Sequence, residues 1–65
     1  MIKVRNKAGE LLGFVWHEDG KSTGLPGWFF RGENEREGTA NGPYLREEYA
    51  RAALRRAVAK ADRNG

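Results

Sequence analysis

His17, Glu18 and Asp19 set a base beside two carboxylates, and His17 is the only histidine among the 65 residues. General acid–base work and metal binding both need such groups to converge on one point, whereas neighbours on a strand point to opposite faces. A metal asks for three or four ligands, and the chain has one histidine and no cysteine. These three residues therefore read as a solvated strand end. Gly20-Lys21-Ser22 has the ending of a phosphate-binding loop, which should carry a further glycine upstream and open a helix. Val15 occupies that upstream place, and Leu25-Pro26-Gly27 follows where the helix would begin. Ser22, Thr23 and Thr39 have no second histidine to activate them as nucleophiles. The chain reads as non-enzymatic, with no cofactor, no metal and no small-molecule substrate.

What remains is surface chemistry. The net charge of +3 is unevenly placed, with positive surpluses over 1–31 and 44–65 and a negative one over 32–43. Such a balance permits an anionic partner without demanding one. Arg46, Arg51, Arg55, Arg56, Lys60 and Arg63 spread to both sides of an apolar stripe, the pattern of a solvated helix face. Glu47 lies four residues before Arg51, the spacing of an ordinary helical ion pair. Trp16 and Trp28 are of the type that stacks on bases in nucleic-acid-binding sheets, but in so short a chain they are also needed to fill the core.

These groups must be positioned by few elements. Ala50, Ala53, Leu54, Ala57, Val58 and Ala61 recur at helical spacing, which predicts a helix over 44–63 with a shallow, alanine-rich face. Glu47 and Glu48 in its first turn and Lys60 and Arg63 in its last complement the macrodipole, and Asn64-Gly65 fits a carboxyl cap. Ile2-Lys3-Val4-Arg5 alternates as a strand with one wet face. Asn6 to Gly9 reads as a turn with Gly9 left-handed, so that Asn6 opposes Glu10, Arg5 opposes Leu11, Val4 opposes Leu12 and Ile2 opposes Phe14. Residues 18–27 and 32–42 read as loops from their Gly, Ser, Thr, Pro and acidic content, and aromatic-rich 27–31 as a third strand. The expected fold is α+β: a single small βββα domain over 1–65, a three-stranded antiparallel sheet with one C-terminal helix packed on one face.

That register puts Ile2, Val4, Leu12, Phe14 and Trp16, with Trp28 and Phe30, under the helix. Ala57→Arg is then expected to unfold the chain. One helix covers one face, so the other is left for a partner. The candidate partner-binding residues there are Lys3, Arg5, Leu11, Val15, His17, Phe29 and Arg31, around Gly13.

The order LGFVWHE, GWFFR, NGPYLREEYARAALRRA, over about residues 11 to 59, resembles a three-strands-then-helix DNA-binding module. That module is found in plant ethylene-response factors and in the amino-terminal domains of phage-type tyrosine recombinases. In that family a Gly-x-Phe strand end runs into a Glu-Glu-Ala-Ala-x-Ala helix. Here Gly42-Pro43-Tyr44 precedes Glu47-Glu48-Tyr49-Ala50-Arg51-Ala52, without the family's threonine cap. The resemblance implies a sheet face entering the major groove, with strand arginines and an aromatic making the contacts.

Two readings follow. The first is a protein-binding module, of the kind a phage or mobile element uses to inhibit or redirect a host protein, with Phe29 and Leu11 as anchors. The alternative is a regulatory module that binds duplex DNA through Lys3, Arg5 and Arg31. A half-covered sheet with an exposed first strand also leaves a homodimer open. No run approaches the length of a membrane span and the first residues lack a secretory hydrophobic region, so a cytoplasmic setting without membrane contact is expected.

Overall fold

Ile2–Arg5 (β1), Leu11–Glu18 (β2), Gly27–Gly32 (β3) and Asn41–Tyr44 (β4) form one antiparallel sheet in sequence order, followed by the helix Glu47–Asn64 (α1). The computed structural model describes residues 1–21 and 24–64, with side chains through Ala61. The loop role given to Ser22 and Thr23, the place of Arg63 on the helix flank and the cap assigned to Asn64-Gly65 lie outside the described residues and side chains.

The first turn forms as its residues dictate. Gly9 N–H donates to Asn6 O (3.0 Å) and Asn6 N–H to Glu10 O (3.0 Å), with Gly9 at φ 85°, where a Cβ would be strained. Arg5 opposes Leu11, but Val4 then opposes Gly13, Lys3 opposes Phe14 and Ile2 opposes Val15. Leu12 is the extra residue of a bulge, and its carbonyl accepts from Glu33 N–H (3.0 Å). A one-residue slip exchanges the faces of a strand. Beyond Leu12, the expected facing of β2 is thereby reversed.

The sheet has four strands, not three. Asn41 and Gly42, which read as loop, lie in β4 together with Pro43, and there Tyr44 pairs with Trp28 and Asn41 with Phe30 across an irregularity. Proline has no N–H to give to a ladder, and it is tolerated here because β4 is an edge strand. The Gly42–Pro43 peptide is cis. Strand β4 also takes Tyr44 from the helix, which starts at Glu47 rather than at residue 44. Glu35 ties the intervening loop down, accepting from Gly32 N–H (2.8 Å) and from the Asn41 amide, whose nitrogen also donates to Phe30 O (3.0 Å).

Between sheet and helix lie Val4, Val15, Phe30, Ala50, Ala53 and Leu54, with Leu12, Trp28, Tyr44 and Val58 packed at the border. Among the described side chains of α1, Leu54 is the one large group driven fully into the interior, and Gly13 makes the hole for it. A Cβ on Gly13 would stand 3.0 Å from Leu54 Cδ1 and would collide with the Arg31 carbonyl oxygen. Phe14 or Trp16 on this face would hold the helix away. The shallow alanine face thus meets a glycine and a valine of β2, and the bulk comes from β3 and β4.

Candidate functional site

The residues that the bulge expels from the core build the opposite face of the sheet. Alternation along β2 and the cross-strand pairing set two adjoining rows there. One row runs Lys3, Phe14, Arg31 across three strands; the next is Trp16 beside Phe29. The Arg31 guanidinium carbon lies 4.7 Å from the Phe14 ring centroid, a cation–π arrangement, and Arg31 Nη1 donates to Glu35 O (3.2 Å). Trp16 and Phe29 stack with centroids 6.1 Å apart and planes at 18°. Both anchoring contacts act across strands, so the rows are held by the sheet itself.

Phe29 is on the expected face, yet it is only 4% exposed. Trp16 covers it on one side, and Gly42 packs so close that a Cβ there would meet Phe29 Cδ1 at 3.0 Å. Phe29 is therefore the floor of the face rather than its contact surface. Trp16 and Phe14, half-buried and absent from the helix-side core, supply that surface. Lys3 and Arg5 flank buried Val4 on β1 and both are exposed, with Arg5 Nη1 donating to Gly9 O (3.0 Å). Glu18, two residues beyond Trp16, puts a carboxylate at the far end of the same face.

Three of the residues expected on this face lie elsewhere. Val15 is fully buried under α1. Leu11 lines a groove of about 410 Å³ with Leu12, Ala57, Val58 and Ala61, on the helix side, where Glu10 and Glu33 form part of the lip. His17 shares the facing of Val15 and packs edge-on against Trp28 (5.1 Å), beside a second cleft lined by Pro26, Pro43, Tyr44 and Leu45. Leu11 precedes the bulge and keeps its expected partner Arg5, whereas the errors at Val15 and His17 have one cause, the bulge at Leu12. Phe14 and Trp16 were missed for the same reason, since only the pairing register distinguishes them from core residues.

The helix carries little of the site. Arg51 Nε is held by Glu47 Oε2 (2.7 Å) and Arg46 lies near Glu48 (3.7 Å). Among the described residues no group of His, Cys, Asp and Glu could hold a metal ion, and no helix is long and apolar enough to cross a membrane. Comparison with protein-family models, with curated proteins and with solved structures finds no match.

Proposed function

We propose that this chain is a nucleic-acid-binding module that works through the sheet face opposite α1. The observation that carries the reading is the Lys3–Phe14–Arg31 row beside the Trp16–Phe29 row. Cations spaced around aromatic rings suit a polyanion that also offers flat π surfaces. Arg5 extends the positive edge along β1.

Docking of a protein on the same face is the second reading, favoured by the apolar content of Phe14 and Trp16. It has lost anchors: Leu11 and Val15 lie on the helix side and Phe29 is nearly closed off. The remaining surface is more cationic and more aromatic than aliphatic, which favours the nucleic-acid reading.

Fluorescence anisotropy with labelled oligonucleotides over a salt series tests it. Neutralised phosphates give a log–log slope of about −0.7 each on single strands and about −0.9 each on B-form duplex. Binding that weakens with salt, with a shallower slope after Lys3→Ala, is the expected result. No binding to any nucleic acid at low salt would reject the reading.

A further inference from the structure

We infer that the nucleic acid taken by this face is single-stranded, with an unpaired base lying against Trp16 and the sugar–phosphate chain following the Lys3–Arg31 row. The inference rests on the nucleic-acid reading above and narrows it.

Reading a duplex requires donors and acceptors that reach base edges, most often a bidentate Arg, Asn or Gln projecting into the groove. The centre of this face offers none. It is occupied by Phe14, Trp16 and the nearly closed Phe29. Arg31, the one guanidinium in the middle strands, already has its carbon over Phe14 and Nη1 on Glu35 O. That fixes it as a stationary cation rather than a fork free to align on guanine. Aromatic rings attract base faces, and in a duplex those faces are covered by neighbouring base pairs. Only an unpaired strand can present them.

Dimensions agree with a short single-stranded footprint. Lys3 and Arg31 stand two strand spacings apart across Phe14, about 9.5 Å. The Trp16 row lies two residues further along β2, about 7 Å away. A phosphate at the cationic row and its base at Trp16 thus fit within one nucleotide's reach. Glu18 sets the polarity of this arrangement. Being on the same face beyond Trp16, it repels phosphate from that end and keeps the backbone at the Lys3–Arg31 row. The face accommodates two or three nucleotides and has two or three cations, so binding should be weak and its salt slope near roughly −1.4 to −2.1.

The test compares a short oligothymidylate, the matching oligouridylate and a hairpin duplex, with Trp28→Phe as the background so that Trp16 alone reports by fluorescence. Both single strands should quench Trp16 and bind at least about tenfold tighter than the duplex. Trp16→Leu keeps an apolar cover over Phe29 but removes the ring, and it should lose about tenfold in affinity. Circular dichroism and the melting temperature of that variant check that it folds. Should Trp16→Leu unfold, Trp16→Phe, which retains a π face, is expected to bind within a few-fold of the parent. Duplex binding as tight as single-strand binding, without quenching of Trp16, overturns this inference and leaves the nucleic-acid reading standing. Absence of binding to all three probes at low salt overturns both.

Discussion

Gly13→Ala is the sharpest test of the register on which the site depends. If β2 had the facing expected from an unbulged hairpin, Gly13 would look outward. An alanine there would stabilise the fold by about 0.4–1 kcal/mol through the unfolded state. In the bulged register the new Cβ collides with the Arg31 carbonyl oxygen and comes within 3.0 Å of both Leu54 Cδ1 and Gly32 Cα. Two of those three neighbours are backbone, which cannot turn aside, so β2 and β3 must separate or α1 must lift. Overpacking of this kind costs about 1–3 kcal/mol, leaving a mid-range net loss of about 1.3 kcal/mol after the unfolded-state gain is subtracted. At 4–8 °C per kcal/mol for a chain of this size, the melting temperature should fall by about 5–10 °C. Urea and thermal melts measure it, and Leu54→Ala supplies a second arm. Because Leu54 is one of the clashing partners, the double variant should be less destabilised than the sum of the singles, by about 0.5 kcal/mol or more. A Gly13→Ala protein as stable as the parent, with additive behaviour toward Leu54→Ala, would refute the register and the composition of the outer face with it.

Other outcomes follow from the same packing. Ala57 is exposed, so Ala57→Arg should change stability by no more than about 0.5 kcal/mol, against the expectation drawn from helical spacing. Ala50, with no exposed surface, is the position where the arginine should abolish the cooperative melt. Arg46 occupies the N-cap, its carbonyl accepting from Tyr49 N–H (3.1 Å) and Ala50 N–H (3.3 Å). A cationic residue is a poor cap at the positive end of a helix, and Arg46→Ser should stabilise by about 0.5–1 kcal/mol in chemical denaturation. Glu35→Ala leaves Gly32 N–H and the Asn41 amide without their carboxylate, and should cost about 1–2 kcal/mol. The same variant should accelerate amide exchange across β3–β4, which a purely surface role for Glu35 would leave unchanged.

Local pattern alone determined much of this protein. The alternation of Ile2 to Arg5, the Gly9 turn with Asn6 opposite Glu10, the aromatic strand from Gly27 and the long helix rest on spacings of two and 3.6 residues and on one glycine. All are present in the fold, as are the inward Phe30 and Trp28 and the outward Phe29 and Arg31. Strand β4 was not legible, because Gly42-Pro43 carries the local signature of a loop and becomes strand only as a partner of Trp28 and Phe30.

The facing of β2 was decided by tertiary structure. Leu11 to His17 has bulky residues at both parities, so alternation gives two solutions of similar local quality. The choice between them was made by a contact remote in sequence. Leu54 needs a cavity, Gly13 is the residue of β2 that can supply one, and a bulge at Leu12 brings Gly13 beneath the helix. That adjustment buries Val15, sends His17 to the helix side, and turns Phe14 and Trp16 outward beside Lys3 and Arg31. The residues of the candidate site were visible in the sequence from the start. Their common face exists only because one leucine of the helix had to be accommodated.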